Sequence, residues 1–232
     1  MAMRLTRTGN LVYDEELFGR ERVFRDRSDA GLRLAEACSA VLEHVDIVYA
    51  IPRGGVPVAV PVARALKAEL DLLLCRKLLI PWNREAGFGA VSPDGHVFVD
   101  EEFARMLGLS KQVIEEAVRE QLEEMERRNK ALRAGRPYPD SLEGQKVVLV
   151  DDGIAAGYTM SAALRFVRAK KASEAIIAVP TGSLGSVLRL SRACDLLICL
   201  NVRPGPFFAV ADAYERWRDL TDEDVLRALR AK

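Results

Sequence analysis

Short, continuous apolar runs alternate with amphipathic helical segments along most of this chain. The runs lie at residues 46–51, 70–75, 146–152, 174–180 and 195–200, and helical patterns separate them. Strands that are buried on both faces have this character, because right-handed crossovers place helices on each side of a parallel sheet. The alternation predicts an α/β fold with a parallel sheet of about five strands and helices on both faces.

Length and charge narrow the class of protein. The chain has 232 residues, which at roughly 100–200 residues per domain predicts a single domain. Its 34 basic and 34 acidic residues balance, which argues against general nucleic-acid binding through phosphate neutralisation. No apolar run approaches the roughly 20 residues of a membrane-spanning helix. The N-terminus shows no secretory signal, so we expect a soluble cytoplasmic protein.

Local signals suggest where several elements begin and end. Ser28 is a plausible N-cap for a helix that runs to about Val45. A long charged helix is expected from Ser110 to Arg133, where it could form a dimer interface or only cover the sheet. Residues 76–95 contain several glycines and prolines among polar residues, which predicts a mobile loop. The four cysteines lack metal-site spacing and are expected to be buried thiols.

The segment VVLVDDGIAAGYTM (147–160) is the most informative for function. It predicts a buried strand that ends in Asp151 and Asp152 and is followed by a turn of very small residues. Backbone N–H groups can close around a phosphate only where side chains leave room, as they do here. Thr159 adds a hydroxyl at the start of the next helix, whose N-terminus favours an anion. Carboxylates at the carboxyl end of a parallel strand suit sugar hydroxyls.

Three other interpretations of this segment compete with a phosphate site. A nucleoside-triphosphatase would need a GxxxxGK[ST] loop, and the chain has none. A dinucleotide-binding unit would need GxGxxG directly after a strand, which is also missing. The acid pair could instead be purely structural and cap the following helix, although the neighbouring small residues favour a ligand.

The segment 147–160 resembles the 5-phosphoribosyl 1-pyrophosphate (PRPP) motif of type I phosphoribosyltransferases. AIPRGGVPVA (50–59) is similar to the pyrophosphate-binding loop of that family, and the resemblance covers the chain from about Phe24 onward. The chain is most similar to a group of predicted phosphoribosyltransferases with no established acceptor. The resemblance implies a hood over the sheet, formed by about 1–27 and 201–232, and a helical insertion at about 101–134.

The resemblance also implies site residues. Asp151 and Asp152 would bind the ribose hydroxyls and would hold magnesium, directly or through water. PRPP-binding positions would be Arg53, Gly54, Gly55, Arg76, Lys77, Asp151, Asp152, Gly153, Ile154, Ala155, Ala156, Gly157, Tyr158 and Thr159. Residues 79–91 correspond to the catalytic flexible loop of the family, in which Arg84 and Glu85 join the acid pair as catalytic candidates. Phe207, Phe208 and Asp212 would line the base pocket.

The activity implied is attack of an acceptor nitrogen on C1 of the ribose as pyrophosphate leaves, with Mg²⁺ bound mainly through PRPP. One departure concerns the acceptor, because Ala155 stands where enzymes that use 6-oxopurines carry a carboxylate. The partners expected are therefore PRPP and a nitrogenous base of unknown identity. A PRPP-sensing regulator with the same fold is the main alternative, and hydrolysis or phosphorolysis of a ribosyl phosphate is a third.

Overall fold

A computed structural model describes residues 3–230, apart from the side chains of residues 84 and 85. The strands described are β1 (Leu5–Thr8), β2 (Leu11–Asp14), β3 (Ile47–Ala50), β4 (Glu69–Leu72), β5 (Arg76–Ile80), β6 (Asn83–Val91), β7 (Val97–Val99), β8 (Lys146–Val150), β9 (Glu174–Ser183) and β10 (Leu196–Arg203). The helices are α1 (Arg27–Val41), α2 (Gly55–Leu66), α3 (Glu101–Met106), α4 (Lys111–Arg133), α5 (Tyr158–Ala169), α6 (Leu184–Ser191) and α7 (Asp222–Arg230).

The main sheet has the strand order β1-β2-β10-β9-β8-β3-β4. The five strands from β10 to β4 are parallel, which confirms the predicted core of the sheet. Two further strands extend it, since β2 pairs in parallel with β10 and β1 pairs antiparallel with β2. Residues 5–14 therefore lengthen the sheet, although we had expected them in the hood.

Strand β8 shows how the two faces of the sheet are built. Val148 and Val150 belong to the apolar cluster formed with α1 and α2, while Val147 and Leu149 belong to the cluster formed with α5 and α6. All four side chains are fully buried. Burial on both faces explains why the strand is continuously apolar rather than alternating. The four cysteines are free and buried, as predicted.

The predicted bounds of the first helix are wrong at both ends. The N-cap is Asp26, whose carboxylate accepts a hydrogen bond from the Asp29 N–H at 3.0 Å, so Ser28 lies inside the first turn. Aspartate caps as well as serine does, and the sequence pattern alone did not separate the two residues. The helix ends at Val41 rather than Val45, with Leu42 in an extended conformation.

The predicted mobile loop at residues 76–95 is also wrong. Most of it is folded into a three-stranded antiparallel sheet of order β5-β6-β7, hereafter the insertion sheet. Two of its glycines lie where strands approach closely. A Cβ on Gly89 would lie 2.3 Å from the Phe98 carbonyl oxygen, and one on Gly87 would lie 3.0 Å from the Leu78 oxygen. Glycine here permits close strand packing, which sequence reasoning had interpreted as flexibility.

Helix α4 begins at the predicted place, with the Ser110 hydroxyl accepting a hydrogen bond from the Val113 N–H. It packs against the insertion sheet and α7. Its last turn is fixed to the main sheet by Arg133, which is buried and lies 2.7 Å from the carboxylate of Asp71 in β4. A role of α4 in a dimer stays a prediction. Within residues 3–230, every helix is too short or too polar to cross a bilayer.

Candidate functional site

The candidate site lies at the carboxyl edge of the main sheet, where β3 and β8 end side by side. Ala50 and Val150 are paired in register, so the segments that follow, residues 52–55 and 151–157, leave the sheet together. We call these two segments the edge loops. Their contact is close, because a Cβ on Gly54 would lie 1.8 Å from Oδ2 of Asp152. Only glycine permits this approach, so close packing against Asp152 explains the first glycine of the RGG sequence.

Asp152 is held at three of its polar groups. Arg27 Nε donates a hydrogen bond to Asp152 Oδ2 at 2.7 Å, and both side chains are largely buried. The Tyr214 hydroxyl donates to the Asp152 carbonyl oxygen at 2.5 Å. The Asp152 N–H donates to Asp151 Oδ1 at 2.8 Å. The pair is therefore fixed in position by partners from α1 and from the segment before α7.

Burial and the neighbouring Asp152 charge raise the pKa of Asp151 well above its ordinary value near 3.8. Removing a carboxylate from water disfavours its charged form, and a second carboxylate nearby acts in the same direction. The site thus holds an acid that gives up its proton reluctantly. A strongly perturbed acid that lines a cleft is a candidate functional group.

The small-residue loop is anchored from behind. Ser183 Oγ donates a hydrogen bond to the Ala155 carbonyl oxygen at 3.0 Å, and an Arg189 nitrogen donates to the Ala156 carbonyl oxygen. Because each peptide unit is planar and trans, the N–H groups of Ala156 and Gly157 point away from these anchors. They are the donors that an anion in the loop would use.

The loop then turns directly into α5. Gly157 is the N-cap residue with φ +76°, a conformation that favours glycine. No side chain caps this helix N-terminus, and Thr159 stands in its first turn. Ile154 ties the loop to β9 through two backbone hydrogen bonds, from its N–H to Thr181 and from the Ser183 N–H to its carbonyl oxygen, each 2.9 Å.

Two adjoining cavities meet at the acid pair. The first, about 310 Å³, is lined by both edge loops and by Arg53, Arg76 and Lys77, and we call it the Arg53 cavity. The second, about 840 Å³, is lined by the acid pair, residues 153–160 and Trp217, and we call it the Trp217 cavity. Lys77, Asp151, Asp152 and Thr159 line both. The structure therefore brings most of the predicted site residues around two neighbouring cavities.

The cations of the Arg53 cavity differ in how they are held. Arg76 is half-buried, and its Nε donates to Gln121 Oε1 of α4 at 3.1 Å. Burial, with the positive charge of Arg128 nearby, lowers the Arg76 pKa. Arg53 and Lys77 are exposed at the cavity rim. The insertion sheet and α4 thus position one cation firmly and leave two able to adjust.

Several predicted residues lie elsewhere. Phe207 is 89% exposed and Phe208 lies against Arg203 and lines a different cavity, so neither lines the Trp217 cavity. Asp212 pairs with Arg203 at 3.2 Å instead of facing the acid pair. Their expected place in the base pocket is therefore not supported by the geometry. The chain after β10 leads them away, and the cavity wall is formed by Val210, Ala211, Trp217 and Asp219.

Tyr158 and the two catalytic candidates of the insertion have different outcomes. The Tyr158 hydroxyl donates to Asp100 Oδ2 at 2.9 Å and so ties the small-residue loop to the N-terminus of α3. Burial first, and then Asp100, raise the Tyr158 pKa to about 12. The side chains of Arg84 and Glu85 lie outside the described part of the chain, and their catalytic role stays a prediction.

Sequence reasoning missed the residues that support the site from a distance. They are Arg27, Gln121, Ser183, Arg189 and Trp217. Each comes from a segment far along the chain from the motif it contacts, and none stands in a pattern of its own. A helix that starts with a basic residue is too common to signal a partner 125 residues away.

The geometry agrees with comparisons to known proteins. A family model for the phosphoribosyl transferase domain matches residues 108–196, which include the acid pair and the small-residue loop. The crystal structure of TT1426 from Thermus thermophilus is 38% identical, with a TM-score of 0.71, and the match covers 89% of this chain and 97% of that one.

A curated relative from Mycobacterium tuberculosis strain H37Rv, "Putative phosphoribosyl transferase Rv0571c", is 38% identical over 208 residues. The match covers 90% of this chain and 46% of the relative, so the chain spans about half the length of the curated relatives it matches. The family model and these relatives, together with the parallel sheet and the acid pair at its carboxyl edge, identify the chain as a member of the phosphoribosyl transferase family.

Proposed function

We propose that this protein binds PRPP at the edge loops and transfers its 5-phosphoribosyl group to a nitrogenous base, releasing pyrophosphate. The observation that carries the proposal is the meeting of the two edge loops at the acid pair, between two cavities. PRPP has three parts: a ribose, a 5-phosphate and a pyrophosphate. The two cavities and the loop between them offer each part a chemically suited surface.

The small-residue loop suits the 5-phosphate. The N–H groups of Ala156 and Gly157 and the uncapped N-terminus of α5 supply donors, and the helix dipole favours a dianion. Thr159 adds a hydroxyl that lines both cavities. Because Ser183 and Arg189 fix the loop carbonyls, these donors are already oriented before a phosphate arrives.

The Arg53 cavity suits the pyrophosphate. Arg53, Arg76 and Lys77 line it, and Gly54 of the first edge loop lies in its wall. Negative charge develops on the pyrophosphate as the bond to C1 breaks, so these cations stabilise the leaving group more in the transition state than before it. The acid pair, next to the ribose, favours the positive charge that develops on the ring.

Magnesium would enter with PRPP. In the part of the chain that the structure describes, no three His, Cys, Asp or Glu side chains are grouped to hold a metal. Asp152 Oδ2 is already paired with Arg27, so the acid pair offers few oxygens. Mg²⁺ commonly binds through one or two carboxylates, substrate phosphates and water, and this donor set fits that mode. Bound in this way, the metal would neutralise charge on the pyrophosphate.

The acceptor would occupy the Trp217 cavity. Ala155 leaves the small-residue loop without the carboxylate that marks 6-oxopurine enzymes, and the walls are largely apolar around Val210 and Trp217. We assign the hood to the segment after β10, through residues 210–219.

Arg84 and Glu85, on the insertion sheet, are the candidates for a catalytic role that closes over the substrates. We expect the reaction to take place in the cytoplasm.

Thermal unfolding in the presence of Mg²⁺ and PRPP tests the site. Saturating ligand at 100 times Kd stabilises a protein by about 2.7 kcal/mol, which for a domain of this size raises Tm by roughly 5–10 °C. Asp151→Asn combined with Asp152→Asn should remove the shift, and Asp140→Asn, at an exposed position after α4, should retain it. An unchanged wild-type Tm at millimolar PRPP would contradict the site assignment.

A pyrophosphate-release screen identifies the acceptor and separates enzyme from sensor. PRPP, Mg²⁺ and single purines, pyrimidines or nicotinate are incubated with the protein, and released pyrophosphate is measured. We expect release with at least one base and none without a base. Release without a base would indicate hydrolysis. Silence across the panel, together with a PRPP-dependent Tm shift, would favour the regulator.

A further inference from the structure

Arg27 contacts three groups at once, and two of them belong to the walls of the Trp217 cavity. Its Nε donates to Asp152 Oδ2 at 2.7 Å, and its Nη1 donates to the Arg218 carbonyl oxygen at 2.9 Å. Its guanidinium carbon lies 3.7 Å from the centroid of the Trp217 ring. The side chain is only 10% exposed. Arg27 therefore connects the second acid of the pair to an aromatic ring.

A second connection runs parallel to the first. The Tyr214 hydroxyl donates to the Asp152 carbonyl oxygen, and the Tyr214 and Trp217 ring centroids lie 5.2 Å apart. Trp217 itself is 39% exposed and lines the same cavity as the acid pair. Asp152 and Trp217 thus share two neighbours, Arg27 and Tyr214. A change in the hydrogen bonding of Asp152 has a short physical path to the ring.

We propose that Arg27 is a positioning residue that makes the placement of the Trp217 ring depend on whether Asp152 holds a ribose. The proposal rests on the proposed function and deepens it, because it links the PRPP subsite to the wall available to the acceptor. Binding of ribose hydroxyls redistributes the hydrogen bonds of the Asp152 carboxylate. A nearly buried guanidinium must keep an anionic partner, so Arg27 follows the carboxylate, and the stacked indole follows Arg27.

The planar guanidinium is essential to this argument. Lysine could keep the charge pair with Asp152, but it cannot stack flat on the indole while donating to the Arg218 carbonyl oxygen. Arg27→Lys therefore separates neutralisation of Asp152 from placement of Trp217. Arg27→Met removes both. Glu36→Gln is the control, since Glu36 is in the same helix and its side chain is exposed to solvent.

The fluorescence of Trp217 reports directly on the proposal. The chain has two tryptophans, so Trp82→Phe leaves Trp217 as the only one. In this background, Mg²⁺ and PRPP are titrated while emission is recorded, and Kd is measured separately by calorimetry. We expect the emission change to be half-maximal at a free PRPP concentration equal to the calorimetric Kd. Arg27→Lys should bind PRPP within about threefold of the background and lose at least half of the emission change, while Arg27→Met should bind roughly tenfold more weakly.

The outcomes distinguish this inference from the function on which it rests. PRPP binding by calorimetry with no change in Trp217 emission overturns the inference and leaves the proposed function standing. An undiminished emission change in Arg27→Lys also overturns it, and this variant decides alone if Arg27→Met does not fold. Absence of calorimetric binding in the background overturns both. Loss of the emission change in Glu36→Gln as well would show that any change in α1 suffices, and would contradict a specific role of Arg27.

Discussion

The edge loops and the insertion sheet use the same residue type for opposite purposes. In the first edge loop, Gly54 makes room for a carboxylate that a ligand would use, since its Cβ would overlap Asp152. In the insertion sheet, Gly89 makes room for a neighbouring strand, since its Cβ would meet the Phe98 carbonyl oxygen. The difference teaches that glycine marks close approach, and that only the neighbour reveals whether the approach serves binding or packing.

The two regions also differ in what holds them. The edge loops are fixed by the register of β3 and β8 and by hydrogen bonds to loop carbonyls. The insertion sheet is attached to the rest through side chains, among them Arg76 of β5 to Gln121, and Tyr158 to Asp100, which directly follows β7. Both regions use contacts with distant elements, but only the edge loops are also fixed by the backbone register of two neighbouring strands of the main sheet.

The largest effect is expected from Gly54→Ala. The added methyl group would occupy the space between the edge loops and displace the Asp152 carboxylate from Arg27. We expect PRPP affinity by calorimetry to fall at least tenfold and the free energy of unfolding to fall by about 1–3 kcal/mol. Gly185→Ala is the control, because no atom lies within 4 Å of its added Cβ. Equal PRPP affinity in Gly54→Ala and wild type would show that the close approach at Gly54 does not serve ligand binding.

Gly89→Ala tests the packing side. A Cβ 2.3 Å from a backbone oxygen forces β6 and β7 apart, which should lower the free energy of unfolding by about 1–3 kcal/mol in urea denaturation. The atoms nearest to the added Cβ belong to β7 and to Leu78 of β5, so PRPP affinity of the folded protein should change less than in Gly54→Ala. A variant as stable as the wild type, or one with the larger loss of affinity, would show that Gly89 is not a packing glycine.

This contrast explains how far the sequence could predict the molecule. The continuous apolar runs were enough to predict the parallel core of the sheet. The acid pair and its small-residue loop could also be predicted, because both lie within residues 147–160 and are marked by residue type and size alone. The insertion sheet was predicted as a loop because its glycines and prolines resemble loop residues until strand partners are known. Arg27 and Trp217 were missed because their roles exist only through tertiary contacts across the chain. Phe207 and Phe208 were predicted from their place after the last strand, in the hood that the resemblance implies, and from the ability of an aromatic ring to stack on a base. Neither property determines the direction of a side chain.

The smallest effect, and the one with the clearest sign, is expected from Asp151→Asn. The pKa of Asp151 is raised in the folded protein by burial and by Asp152, so ionisation of this group opposes folding. Below the ordinary pKa near 3.8 both forms are neutral, and the variant and wild type should have similar stability. As pH rises from the ordinary pKa through the raised pKa, the wild type loses stability that the variant keeps. Asn can still accept the hydrogen bond from the Asp152 N–H.

We therefore expect Asp151→Asn to raise Tm at neutral pH, by about 2–4 °C for each kcal/mol of relieved repulsion, while it loses the PRPP-dependent shift. The measurement is Tm against pH for both proteins, with and without ligand. Asp94→Asn is a useful control, because burial of the Asp94 carboxyl is outweighed by hydrogen bonds from Ser92 and His96, which lower its pKa, and that variant should lose stability at neutral pH instead. A lower Tm for Asp151→Asn at neutral pH would mean that the protein itself stabilises the ionised Asp151 carboxylate, as it stabilises that of Asp94. The acid pair would then hold no unfavourable charge that a bound ligand could relieve, and the two regions would not differ in this respect.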